Sequence, residues 1–289
     1  MGCDITIKLR PGTPADAETC GQIIFDAFSA ISSQHNFPSD FPAHEVGIGV
    51  ASMLLSHPGF YSVVAEDDGI VVGSNFLDER CSVAGLGHVT VSPTQQNSGV
   101  GRRLMQHMLD RAEERGYPGV RLLQSTYHSR SLALYASMNF DVRGICSVVQ
   151  GPQVREQVPG RTVRAITSAD LDRCNRLCFR IHGHDRSGEV GDSVQQGTGL
   201  VVESGDRITG YTTGIGFFGH SVGEGNDDVK ALIAGSKEYS GPGLIVPARN
   251  TDLLRWCLNH DLRIVQNMTL MTIGLYNEPQ GAWLPSILM

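Results

Sequence analysis

Apolar and polar residues alternate through "ITIKLRP", where Ile5, Ile7 and Leu9 have the period of a half-buried strand. Thr13 and Asp16 then stand at capping-box spacing ahead of "AETCGQIIFDAFSAI", a run with helical periodicity. A proline-rich loop, "NFPSDFPAHE", precedes a second helix, "VGIGVASMLLS". Two β-branched runs in "YSVVAEDDGIVVGSNFL" meet at Asp67-Asp68-Gly69, which predicts a hairpin. The pattern continues with a strand "GHVTV", a long helix after Gly101, a strand "GVRLLQS", a helix from about Ser129 to Met138 and a strand "FDVRGICSVV". Hairpin pairing first and crossovers later give a mixed α+β order.

After "GPQVREQVPG", a linker by its Gly and Pro content, the pattern starts again. "RTVRAITSADLDRCNRLCF" repeats "ITIKLRPGTPADAETCGQIIF", "VVESGDRITGYTTG" echoes "VVAEDDGIVVGSNF", and "LLRWCLNHDLRIV" echoes "LALYASMNFDVRG". Three matches in the same order predict a tandem duplication, with one domain over residues 1–155 and a second over 156–289.

Composition narrows the class. A chain of 289 residues with 40% hydrophobic and 18% charged residues can bury ordinary cores. Its net charge of -7 argues against chain-wide binding to nucleic acid or to an acidic membrane, and leaves room for a local basic patch. No apolar run approaches the roughly 20 residues of a membrane span, and no charged-then-apolar leader precedes "DITIKLRP", so a cytoplasmic location is expected. Seven cysteines without a Cys-x-x-Cys pair predict reduced, mostly buried thiols and no metal site. "MGCDIT" fits a myristoylation pattern with Cys3 beside it, but a strand beginning at Ile5 leaves little tether. "HGHDRSGEV" offers His182, His184, Asp185 and Arg186 at a spacing too compressed for a familiar zinc pattern, and a polar loop is expected there.

The candidate chemistry sits in "VTVSPTQQNSGVGRRL". Amides at a helix N-terminus lack intrahelical partners and face the positive end of the helix dipole, which makes such a turn an anion site. Gly99 and Gly101 leave room for a phosphate to approach the backbone, and Arg102 and Arg103 add positive charge.

Strand, Pro93 and then "QQNSGVGRRL" resemble the signature of the GNAT superfamily of acyl-CoA-dependent N-acetyltransferases, Gln/Arg-x-x-Gly-x-Gly/Ala opening a helix, with Gln96, Gly99 and Gly101 at the patterned positions. The resemblance extends over about residues 4 to 150. It implies acetyl-CoA as cosubstrate, its pyrophosphate held by the amides of Gln96, Asn97, Ser98, Gly99, Val100, Gly101 and Arg102, and its pantetheine arm by backbone groups of Val89 and Val91. A second family pattern, Asn-x-x-Ala/Ser-x-x-Leu-Tyr-x-x-x-Gly-Phe, is similar to "HSRSLALYASMNF" at Ser131, Leu134, Tyr135 and Phe140. His128 stands in place of the usual Asn, leaving that bond to the cofactor open, and Asn139 in place of Gly, a mild change because Asn tolerates the left-handed conformation. The implied fold is two tandem GNAT-like domains, each a mixed, mostly antiparallel sheet flanked by helices.

Attack by an amine on a thioester expels a thiolate whose conjugate acid has a pKa of about 8.5, and a positioned hydroxyl can protonate it. Tyr135 is the candidate general acid, and an N–H of "GHVTV" is the family-implied oxyanion donor. The base is open between Asp78, Glu79, His88 and water. No cysteine stands in a nucleophile motif, which favours direct attack by a primary amine of a small molecule or peptide. A CoA-binding regulatory module, or transfer to a hydroxyl or of a longer acyl group, are the alternatives. In the second copy Trp256 falls where Tyr135 sits, and "GHSVGEGNDDVKALIAG" lacks the phosphate motif, so that half reads as degenerate, with Arg186 as an anchor for an anionic part of the acceptor. The apolar tail "PQGAWLPSILM" is expected on the core or on a second subunit of a homodimer.

Overall fold

A computed structural model describes residues 7–288, so the lipidation reading of "MGCDIT" lies outside the described residues. The chain forms two compact units, one of residues through Glu79 with Ala84–Val120, the other of Arg80–Val83 with Arg121 onward. Among the described residues no helix is long and apolar enough to cross a membrane. The six described cysteines are free and buried, as expected.

In the first unit, β1 (Lys8–Pro11), β2 (Phe60–Asp67), β3 (Ile70–Asp78) and β4 (Ala84–Leu86) lie in that order, antiparallel, and β5 (Thr90–Val91) also pairs with β3. The β2–β3 hairpin turns on Asp68 and Gly69 with φ of 48° and 79°, the left-handed pair that suits the twist of its strands. Helices α1 (Ala17–Gln34) and α2 (His44–Ser56) pack where Gly21 and Gly47 let their backbones touch. Helix α3 (Val100–Glu114) buries Val100, Leu104, Met105, Met108 and Ala112, one stripe at helical spacing.

The expected strand "GHVTV" is corrected. Leu86 pairs with Leu77 and Thr90 with Ser74, so four steps along one strand face three along the other. The extra residue forms a bulge at His88–Val89, while the Gly87 amide still donates to the Phe76 carbonyl at 3.1 Å. His88 is thereby turned into the core, its ring 5.9 Å from Phe28 and 6.2 Å from Phe41.

The second unit holds two sheets. In one, β6 (Gly119–Ser125), β13 (Arg263–Gly274), β7 (Asp141–Gln150) and β12 (Leu244–Pro247) are neighbours in that order. The last long strand of the second sequence half therefore lies between two strands of the first. Compactness follows this pairing, so the units do not coincide with the sequence halves. In the other sheet, β14 (Ala282–Leu284), β11 (Ser221–Gly223), β10 (Arg207–Thr212), β9 (Leu200–Ser204) and β8 (Thr162–Ala165) are antiparallel throughout. The apolar tail thus docks on its own unit as an edge strand. Helices α4 (Ser129–Ala136), α5 (Leu171–His182), α6 (Ser187–Gln196), α7 (Asn226–Gly235) and α8 (Thr251–Asn259) complete it.

The duplication recurs in the ion pairs. Arg10 bonds Asp16 and Glu66, while Arg164 bonds Asp170 and Glu203. Both aspartates also accept from a capping threonine, Thr13 or Thr167, at the mouth of α1 or α5.

Between α6 and β11, Arg186 donates through Nη2 to both oxygens of Glu189, at 2.7 and 2.9 Å, and through Nε at 3.2 Å. Glu189 Oε2 lies 2.6 Å from His220 Nδ1, and His220 Nε2 2.9 Å from the Tyr211 hydroxyl. Every member is buried. Burial opposes the Glu189 charge, but Arg186 and His220 hold its pKa well below the usual carboxylate range.

Two predictions concern this scaffold. The Arg10 side chain, through its hydrogen bonds, lowers the Asp16 pKa to about 2 and Arg164 lowers that of Asp170 further, against about 3.9 when unfolded. A depressed folded pKa gives stability that is complete above about pH 4 and lost as pH falls toward 2. Urea midpoints should decline across that window, and Asp16→Asn with Asp170→Asn should flatten the decline. Arg186→Met should cost roughly 3–5 kcal/mol by leaving Glu189 buried and unpaired, and Arg186→Met with Glu189→Met should recover most of it in the same denaturation assay.

Candidate functional site

The candidate phosphate-loop residues lie together in the first unit, and their geometry begins at β3. A β-carbon on Gly73 would meet the Thr90 carbonyl at 2.7 Å and Leu104 Cδ1 at 3.2 Å. Glycine there lets β5 and the first turns of α3 seat closely on β3. Val91 completes the pairing opposite Gly73, and its carbonyl accepts from Gln96 Nε2 at 3.3 Å, tying the loop back to the strand.

Beyond Gln96, Asn97 and Gly99 take left-handed φ of 65° and 87° around Ser98, whose hydroxyl donates to the Gln95 carbonyl at 2.5 Å. Alternating handedness of this kind turns successive amides toward one side, a concavity that binds anions. Gly99 is the N-cap of α3, no side chain caps that turn, and the Arg103 N–H donates to the Gly99 carbonyl at 3.1 Å. The amides ahead of Arg103 lie outside the helical ladder. No atom lies within 4 Å of where a Gly99 β-carbon would be, and Asn97 through Gly99, Arg102 and Arg103 are exposed. Buried Val100 fixes the helix beneath them. Open, uncapped amides with two adjacent arginines fit a pyrophosphate. Val89, in the bulge, is half-buried.

His128, Ser131 and Tyr135 belong to the second unit. His128 is the N-cap of α4, and the Ser131 hydroxyl serves the fold, within 2.7 Å of Gln124 Oε1 and 2.8 Å of the His128 carbonyl. Tyr135 is buried beside Phe140, ring centroids 6.1 Å apart, and burial raises its phenol pKa. Its carbonyl accepts from the amides of Met138 and Phe140 around Asn139, which takes φ 67° as expected of a residue replacing glycine.

The base candidates separate clearly. Both Glu79 oxygens are held by Arg111, at 2.6 and 2.9 Å, and Arg111 stacks on the Tyr61 ring. Glu79 is an anchor of the fold. Asp78 is buried. His88 Nδ1 is buried without a hydrogen-bond partner, and burial pushes the ring pKa down to about 4, so it is neutral at ordinary pH.

In the second copy, the helix in the place of α3 is α7, and its N-terminus is closed. Asp228 accepts from the Gly225 amide at 3.0 Å, while its other oxygen is held by Arg161 and Thr209 at 2.6 Å each. With Asp227 beside it, this turn presents carboxylates where α3 presents amides. Trp256 Nε1 donates to Glu156 at 2.9 Å. Arg186 is corrected: its guanidinium is bound to Glu189 and buried, so it is no open anchor for an anion. Sequence reading singled out "HGHDRSGEV" but missed Glu189 and its partners Tyr211 and His220. The Arg-x-x-Glu spacing on a helix was the available signal.

Comparison with known proteins bears on the family pattern and the fold. The acetyltransferase (GNAT) family pattern matches residues 23–140. A candidate acetyltransferase from Pyrococcus horikoshii superposes with TM-score 0.73 at 16% identity, covering 100% of this chain and 94% of its own. A GCN5-related N-acetyltransferase from Sphaerobacter thermophilus gives 0.62 at 16%, with 96% and 98% covered. A tandem GNAT protein from the clavulanic acid biosynthesis pathway gives 0.55 at 14%, with 93% and 98% covered. No curated protein matches the chain significantly. Residues 23–140 thus carry the acetyltransferase (GNAT) family pattern, and the whole chain shares its fold with these structures, a tandem GNAT protein among them.

Proposed function

We propose that this chain transfers an acetyl group from acetyl-CoA to a primary amine of a small molecule or peptide by direct attack. The observation that carries the reading is the uncapped, left-handed turn Asn97–Gly99 at the mouth of α3, beside Arg102 and Arg103. It gathers several amides at the start of α3, where no side chain caps the helix. The proposed active half is residues 1–155, and 156–289 is the degenerate copy, because Asp228 occupies the place a phosphate would need.

In this reading the amine nitrogen forms a bond to the thioester carbonyl carbon, and the carbon–sulfur bond then breaks. The amide of His88 or Val89, beyond the last residue of β4, faces the oxyanion, while the Gly87 amide stays bonded to the Phe76 carbonyl. The attacking nitrogen becomes strongly acidic once bonded to carbon, so a weak base or water suffices to take its proton. Neutral His88 is the favoured acceptor, and Glu79 is withdrawn because Arg111 holds it. Tyr135 donates to the departing sulfur. Its raised pKa keeps the phenol protonated until that moment but also resists full ionisation. The proton released by the amine restores it, so that one proton leaves nitrogen and one arrives on sulfur.

A panel of amines incubated with acetyl-CoA, with thiol release as readout, tests the whole reading; acetyl-CoA binding without thiol release from any amine would point instead to a regulatory module. Gly99→Glu should weaken acetyl-CoA binding at least about tenfold, because it strains a left-handed position and sets a carboxylate before the amides. Titration calorimetry measures this, and unchanged affinity would reject the phosphate cradle. Tyr135→Phe should lower turnover about 100-fold or more while leaving acetyl-CoA affinity near the wild-type value. Steady-state kinetics beside the same titration separates the two effects.

A further inference from the structure

Strand β6 carries one charge in its apolar run, Arg121, which is 3% exposed. Its Nε and Nη2 have no hydrogen-bond partner. A buried, uncompensated guanidinium is among the costliest features a fold can keep. These two nitrogens form the edge that grips a carboxylate side-on, as Arg111 grips Glu79 in this same chain. The neighbouring Tyr276 ring, 5.9 Å from the guanidinium, supplies only a face.

Two further buried ring nitrogens lack partners, His182 Nδ1 and His184 Nε2. The two rings lie 5.6 Å apart, with Trp283 5.6 Å from His182 on its other side. His184 Nδ1 is 3.3 Å from the Asp185 carbonyl, which only accepts, so Nδ1 carries the hydrogen and Nε2 offers a lone pair. Burial, then the charge of Arg121, pushes the His184 pKa down to about 3, and burial with nearby Arg186 and Arg121 lowers that of His182. Burial likewise brings Arg121 down to about 10, which leaves it protonated at neutral pH. One cation beside two neutral imidazoles matches a single negative charge and leaves a phosphate dianion undercompensated.

We propose that Arg121, His182 and His184 form a buried receptor for a compact monocarboxylate with a hydrogen-bond donor beside its carboxyl group, an α-hydroxy or α-amino acid. Arg121 Nε–H and Nη2–H donate to the two carboxylate oxygens. The ligand's hydroxyl or amine donates to His184 Nε2, and His182 completes the polar wall. No covalent step is involved, and the site stands or falls independently of acetyl transfer.

The full chain titrated calorimetrically with glycolate, glycine, acetate, methylamine and inorganic phosphate tests it. Glycolate or glycine should bind at least about tenfold more tightly than acetate, and whichever of the two is tighter assigns the donor as hydroxyl or amine. Arg121→Met should lose that binding yet melt at a higher temperature, since an unpaired buried charge is gone. If that variant does not fold, Arg121→Lys keeps the charge without the fork and should still bind about tenfold more weakly. His184→Leu should reduce glycolate or glycine to the affinity of acetate. The proposal is overturned by no carboxylate binding, by binding unchanged in either Arg121 variant, by acetate matching both glycolate and glycine, or by preference for phosphate or methylamine.

Discussion

The pairing of β7 on both its edges is the constraint on which the second unit rests. Along one side it meets β13, from Arg263 opposite Gln150 to Thr272 opposite Asp141, and along the other β12, from Leu244 to Pro247. A strand buried as deeply as Val148 and Val149 cannot leave its amides and carbonyls unpaired. Because β7 belongs to the first sequence half and both β12 and β13 to the second, the first half by itself lacks the strands that cover it. Tyr135 sits on α4, between β6 and β7, so the position of the proposed acid depends on a strand from the other copy. A cut near residue 155 would bare the flanks of both strands, so the two sequence halves are not separable pieces.

The two copies retain their scaffolding and diverge in their chemistry. Arg10 with Asp16 and Glu66 has its counterpart in Arg164 with Asp170 and Glu203, down to the capping threonine. These networks fasten the first strand to the next hairpin and to the helix that follows, a demand common to both halves. The helix that follows the hairpins has no such shared demand. At α3 its mouth is glycine in a left-handed turn, and at α7 it is closed by Asp228 from within. The dipole of α7 is neutralised by the protein itself, whereas that of α3 remains open to an outside anion.

Much of this was legible in the sequence because it depends on local rules. Alternation and capping spacing located α1, α2 and the β2–β3 hairpin, Asp68-Gly69 named its turn, and Asn139 was read correctly as a glycine substitute. The glycine turn that opens α3 was legible because glycine spacing and helix start are contiguous. What escaped was long-range. No periodicity signals that β13 lies between β6 and β7, or that the strand expected at "GHVTV" loses one residue to a bulge. Arg186 was legible as a charge, but its capture by Glu189 depends on burial, which residue type alone does not reveal.

Residue type also fails to separate side chains that hold the fold from those available to a ligand, and here the hydrogen-bond accounting decides. A folded chain satisfies nearly all its buried polar groups, since each one left bare costs more than a made bond returns. Glu79, Ser131, Asp228 and Arg186 are all of catalytic or ligand-binding type, and each has spent its polar atoms on a neighbour. His88 Nδ1 has not, and the first turn of α3 keeps its end uncapped. Both belong to segments where regular pairing is interrupted, the bulge at His88–Val89 and the turn at Asn97–Gly99. The chain thus gives up regular structure at the two places the proposed reaction uses, and sets apolar side chains beside them, Phe28 and Phe41 against His88 and Val100 beneath the turn.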